Sequence, residues 1–127
     1  MSTCRGHINE VYAVAAMPDG KRILSGDFYG DVRVWLLDGT LRNTFKLHTD
    51  EVCEVLALVA LPDSQHALSG SADKTVKLFN VNDGSVLRNF THHTDGVLSL
   101  ALLPDGLRFV SGSDDMTARI AEIGPLP

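Results

Sequence analysis

A proline followed by aspartate stands at Pro18, Pro62 and Pro104, and in each case a Ser-Gly pair begins seven residues later, at Ser25, Ser69 and Ser111. The Ser-to-Ser distances are 44 and 42 residues, so one unit occurs three times in a chain of 127 residues. A period of this length belongs to stacked repeats, in which each unit buries a face against its neighbour. A histidine opens each unit, at His7, His48 and His93. In the outer two a valine, Val11 or Val97, follows four residues later and stands seven residues before the proline. In the middle unit Val52 has the same relation to His48, but ten residues separate it from Pro62. The stretch EVCEVLALVALPD is therefore read as carrying a three-residue insertion.

Inside each unit the pattern is that of strands. Turn pairs at Asp19-Gly20, Asp38-Gly39, Asp63-Ser64, Asp83-Gly84 and Asp105-Gly106 punctuate short apolar runs in the manner of hairpins. Val32-Arg33-Val34-Trp35 and Val76-Lys77-Leu78-Phe79 alternate and are rich in β-branched and aromatic residues. The predicted strands are 11–17, 22–26, 32–37 and 40–45 in the first unit, then 52–60, 66–70, 76–81 and 85–90 in the second. The third has 97–102, 107–112 and 117–123 and no fourth strand. The chain is expected to be all-β and a single repeat region over 1–127, with units at approximately 6–46, 47–90 and 91–123.

Gly-His, a strand, a Pro-Asp-Gly turn, a Ser-Gly strand end, an Asp-containing turn and a strand ending near Trp-Asp together resemble the WD-repeat (WD40) family. The likeness runs over residues 6 to 123, and three phased copies make it specific. It implies a β-propeller arc of three consecutive antiparallel blades, the last without its outer strand. It also implies a hydrogen-bond relay in each blade, formed by the opening His, the Ser ending strand two, an Asp in the next turn and the Trp of strand three. Those positions fall on His7, Ser25, Tyr29 and Trp35, then His48, Ser69, Asp73 and Phe79, then His93, Ser111, Asp115 and Ala121. On this alignment no unit has all four members. The Asp of the first is replaced by Tyr29, and Phe79 and Ala121 stand where the other units would have Trp. The second residue of the Trp-Asp pair is changed to Leu36, Asn80 and Glu122. Blades of this kind are expected to form but to be less rigid than the family norm.

Composition narrows the function. Eleven Lys and Arg against sixteen Asp and Glu give a net charge of −5, the wrong sign for phosphate backbones or anionic lipid. Nucleic acid and membrane are thus not expected partners. Cys4 and Cys53 sit in settings too different to suggest a bridge, which fits a reducing compartment, cytoplasmic or nuclear. MSTCRGHINE has no apolar leader core, and no apolar run approaches the roughly 18 residues of a membrane span.

His48, Ser69 and Asp73 contain the residue types of a hydrolase triad, and His93, Ser111 and Asp115 repeat them. Repetition argues for structure, because a nucleophile needs one exposed serine beside an oxyanion hole, and no Gly-x-Ser-x-Gly elbow occurs. A serine hydrolase is kept only as a remote alternative. The pairs His92-His93 and Asp114-Asp115 lack zinc or EF-hand spacing, and the glycines fall in turns rather than in a phosphate-cradling cluster. No metal and no cofactor are implied.

The strand-two to strand-three turn of unit one reads Asp27-Phe28-Tyr29-Gly30, against the polar turns Ser71-Ala72-Asp73-Lys74 and Ser113-Asp114-Asp115-Met116. Aromatics carry much of the energy of interfaces, which makes Phe28 and Tyr29 candidate partner contacts. The competing reading is that they pack against a neighbouring blade and fill the gap left by the missing Asp. Asn9, Glu10, Tyr12, Asp50, Glu51 and Asp95 would share that face of a propeller and make it acidic, favouring basic partners. The expected role is a non-catalytic protein–protein interaction scaffold. The alternative is a structural piece whose task is to oligomerise or to complete a larger propeller, because propellers close with four to eight blades. Three resolutions follow: a fragment of a longer chain, which the resemblance favours because closure in that family usually happens within one chain, self-association into a ring, or docking on further blades. Residues 1–5, MSTCR, read as too short and polar to supply the missing strand.

Overall fold

The structure, a computed structural model, describes residues 1–126 and is built from eleven strands, with no helix among the described residues. Blade one consists of β1 (Val11–Ala16), β2 (Arg22–Asp27), β3 (Asp31–Leu36) and β4 (Leu41–Lys46). Blade two consists of β5 (Val55–Ala60), β6 (His66–Ser71), β7 (Val76–Asn80) and β8 (Val86–Phe90). Blade three has β9 (Val97–Leu102), β10 (Arg108–Ser113) and β11 (Ala118–Glu122). Each sheet is antiparallel in simple sequence order. The first strands β1, β5 and β9 lie side by side, and β2 and β6 back onto the first strand of the following blade. This is an arc of a propeller with three blades.

The turns explain why the chain reverses where it does. In each of the five Asp hairpins the carboxylate accepts the backbone N–H two residues on, at 2.8 to 2.9 Å, from Lys21, Thr40, Gln65, Ser85 and Leu107. The following Gly20, Gly39, Gly84 and Gly106 take positive φ, and Ser64 does so at φ 55°, as Asx-type turns require.

The insertion in the middle unit lies in the connection before the strand, not within it. Val55, not Val52, pairs with Ser71 as Val97 pairs with Ser113 and Val11 with Asp27. The predicted strand 52–60 therefore begins three residues late, at Val55, and Val52 is exposed in the longer connection. Spacing from His48 was the misleading ruler, since a loop absorbs extra residues and a register does not.

The core divides by junction. Between blades one and two Leu24, Val32 and Val34 meet Val55, Leu58 and Phe79, and between two and three Leu68, Val76 and Leu78 meet Val97 and Phe109. Full burial of one such side chain is worth about 1.5–3 kcal/mol, so the junctions hold most of the apolar stabilisation.

Candidate functional site

The opening histidines reach the ends of the second strands. His48 Nδ1 meets Asp73 Oδ2 at 2.6 Å and its Nε2 meets Ser69 Oγ at 2.8 Å. In blade three His93 meets Asp115 Oδ2 and Ser111 Oγ, both at 2.7 Å. A threonine follows each aspartate by two residues, and Thr75 and Thr117 donate to the free carboxylate oxygens. Ser69 and Ser111 are fully buried, and their hydroxyls tie the ends of the second strands to the opening histidines.

Blade one departs from the sequence expectation. His7 Nδ1 meets Asp27 Oδ2 at 2.8 Å, its Nε2 bonds Ser25 Oγ, and Trp35 Nε1–H donates to the same oxygen at 2.8 Å. Since the indole N–H donates, the Ser25 proton is free for His7 Nε2, and the ring carries its own proton on Nδ1. The carboxylate thus comes from two residues earlier than in the other blades, and the first unit does hold four members. The expectation that Tyr29 left the Asp position vacant is corrected by this geometry. In blades two and three Ser71 and Ser113 accept the N–H of the turn residue, Asp73 or Asp115. Asp27 does this as well, accepting the N–H of Tyr29 at 3.0 Å and of Asp31 at 3.1 Å. One side chain fills two places, and no gap is left for Tyr29 to occupy.

The aromatic pair accordingly lies outside. Phe28 and Tyr29 are exposed, with ring centroids 5.5 Å apart and edge to face, and Tyr12 lies 6.4 Å from Phe28. The backbone fixes them, because Phe28 N–H donates to Glu10 O and Tyr12 OH donates to the Glu10 carboxylate at 3.3 Å. Glu10, Tyr12, Phe28 and Tyr29 therefore form one patch. At the matching end of blade two, Asp50 and Glu51 line an open hollow of about 440 Å³ together with Val52, Ala72, Asp73 and Lys74. Asp95 is exposed at the same end of blade three, where its carbonyl accepts from Ser113 Oγ. The structure brings the first four together and leaves the three acids one blade or two away along the same rim. Asn9 caps the start of β1 by accepting from Glu10 N–H.

Ala121 does not leave blade three short of an aromatic. The register pairs Ile23 with Trp35, Ala67 with Phe79 and Phe109 with Ala121. Small and large residues have changed strands, and the buried Phe109 packs edge to face on Phe90 at 5.0 Å. The pairing across strands is invisible until the register is known, so spacing along the chain missed it.

Asp73 is held below the usual carboxylate range: burial pushes it up, but hydrogen bonds from His48 and Thr75 and the nearby imidazole outweigh that. Asp115 is pulled far below its usual value, chiefly by the Thr117 hydroxyl with His93 and Thr94 adding, against opposition from burial. A carboxylate with a depressed folded-state value contributes stability that is complete above its unfolded value of about 3.9 and is lost as pH falls below it. The melting temperature should therefore hold between pH 7 and 5 and fall between pH 4 and 3. In the Asp73→Asn variant the melt at pH 7 should start lower and fall less over the acid step, as read by circular dichroism.

Among the described residues no three His, Cys, Asp or Glu side chains group as metal ligands would. The sequence matches the family model of the WD domain, G-beta repeat, at residues 1–35, 39–80 and 84–121. No curated protein matches the chain.

Proposed function

Because the chain belongs to the WD-repeat family, whose domains are typically non-catalytic scaffolds that bind other proteins, we propose that it binds protein partners through the rim carrying the β2–β3 turns. The observation that carries this reading is the exposed Tyr12–Phe28–Tyr29 patch. Asp27 supplies both turn and relay bonds in blade one, so Phe28 and Tyr29 have no internal duty there. Rigid aromatics on a braced turn are suited to anchor a partner. Glu10 within the patch, and Asp50, Glu51 and Asp95 one and two blades further along the same rim, give that rim negative charge, which favours a partner segment combining Lys or Arg with an apolar side chain. The units 6–46, 47–90 and 91–123 act as one platform in this reading, without chemistry of their own. His48, Ser69, Asp73 and their counterparts serve as braces. A reducing cytoplasmic or nuclear setting belongs to the same proposal, on the ground that the chain carries only two cysteines.

A displayed library of random peptides tests it. Selection on the folded chain should enrich sequences with basic residues beside an aromatic or aliphatic anchor, and their binding should weaken with salt. The Phe28→Ser, Tyr29→Ser double variant, with an unchanged circular dichroism spectrum, should lose at least about tenfold in affinity, as expected for central anchors. Enrichment that survives in that variant would place the contact elsewhere.

A further inference from the structure

The aromatic patch of blade one stands on positions that the fold leaves open in blade two as well. Val11 pairs with Asp27 as Val55 pairs with Ser71, and Phe28 N–H donates to Glu10 O as Ala72 N–H donates to Glu54 O. Tyr12 and Phe28 are therefore the counterparts of Leu56 and Ala72. Both of those are partly exposed although blade two has a blade packed on either side, so the openness comes from their place on the rim. Tyr29 stands at the place of Asp73, but Asp27 holds the histidine in its stead, which leaves the phenol ring outside.

The three rings are 47, 37 and 43% exposed in chain order. Phe28 is the middle one, 5.5 Å from Tyr29 at an interplanar angle of 89° and 6.4 Å from Tyr12 at 42°. Rings at such angles form no flat stack and offer their π faces from different directions. At these spacings a single cation can stand within the roughly 6 Å of each centroid over which a ring quadrupole attracts it. Two carboxylates strengthen that field. Glu10 accepts from Tyr12 OH at 3.3 Å. Partial burial, followed by the charges of Glu10 and Glu54, raises the Tyr12 phenol above its ordinary value, so a second carboxylate acts on the same ring. Lys46 reaches the Tyr29 carbonyl at 2.7 Å but is paired with Asp31 at 3.3 Å, which balances its charge locally.

Hydrogen bonding decides which cation fits. A lysine ammonium brings three N–H donors and a guanidinium five, and aromatic faces return little for the water these donors lose. A trimethylated ammonium keeps the charge, has no N–H to satisfy and turns methyl groups to the rings. We propose that Tyr12, Phe28 and Tyr29, with Glu10 and Glu54 beside them, form an aromatic cage for a trimethylated lysine of a partner protein. The assignment rests on the reading of this rim as the partner surface, and narrows it to one side chain in which charge and apolar surface are the same group.

A bead library of short peptides, with trimethyllysine at the centre and random flanks, is screened against the folded 127-residue chain. The sequences retained are remade with lysine and with the neutral isostere that has carbon in place of the charged nitrogen, and affinities are read by fluorescence polarisation. Trimethyllysine should bind at least about tenfold more tightly than either. Tyr12→Leu and Phe28→Ala, which install the residues that blade two carries at these places, should each reduce that preference to about twofold or less, whereas Tyr12→Phe should keep it. Glu10→Gln and Glu54→Gln should weaken trimethyllysine binding with unchanged circular dichroism. The cage is overturned if lysine or the isostere binds as tightly, or if the preference survives Tyr12→Leu; binding that still falls in the Phe28→Ser, Tyr29→Ser variant then leaves the partner rim standing. Retention of no sequence also overturns it, and the displayed library of unmodified peptides tests the rim by itself. Equally tight binding of phosphatidylcholine vesicles would give the site to a lipid headgroup and overturn the assignment to a protein.

Discussion

Gly26→Val should cost about 3 kcal/mol in urea unfolding, toward the upper end for forcing methylenes into a packed interior. The site has no slack: Cβ and Cγ1 of Val55 would lie 2.7 and 2.4 Å from the new Cβ, and neither is the far end of a flexible chain. One of the two strands must withdraw, and the burial shared by Leu24, Val34, Val55 and Leu58 is lost with the movement. Val55→Ala placed in the same chain should recover part of the loss, since it removes the Cγ1 that the new side chain strikes. Gly112→Val should cost clearly less, because its added Cβ would meet only the Ser99 hydroxyl, which can turn away. Equal losses at Gly26 and Gly112 would show that the valine strains its own strand and that the junction is not the cause.

Phe109→Ala should remove about 3–5 kcal/mol, the usual cost of truncating a fully buried phenylalanine. Phe109 fills the space that Phe79 fills in blade two from the neighbouring strand. Adding Ala121→Phe recreates the blade-two arrangement of a small residue on the second strand and an aromatic on the third. The double variant should therefore be clearly more stable than Phe109→Ala alone, a coupling that thermal or urea melts of the two singles and the double resolve. If the two changes simply add, the positions do not share one space.

Most of the fold was legible because its signals are local. The Asp hairpins and the Ser-Gly strand ends set ten of the eleven strands to within about two residues, and every pairing follows sequence order, consistent with boundaries read from local turn chemistry. What failed was whatever depends on the relation between strands. Val52 was aligned by counting from His48 through a connection of variable length, although Pro62 lies in the turn that fixes the register. Phe109 and Ala121 exchanged size across a pairing that no linear spacing displays. Asp27 is hidden from linear spacing, which puts Tyr29 at the aspartate position, because a side chain at the end of β2 reaches the same imidazole from two residues away. Phe28 and Tyr29 stand out in the sequence as aromatics in a turn, and the choice between packing and exposure depends on Asp27, which fills the relay place that the packing reading leaves vacant.

The displaced carboxylate also changes which positions are free to vary. Asp73 and Asp115 each brace a buried histidine, so substitution at either strands a polar group inside the blade. Tyr29 contributes only backbone groups to the hydrogen bonding here, an N–H to Asp27 and a carbonyl to Lys46, and any residue but proline supplies both. Under random mutagenesis selected for folding alone, position 29 should accept nearly the whole range of side chains while 73 and 115 stay narrow. Blade one is thus the blade on which a new specificity can be tried at little risk to the scaffold.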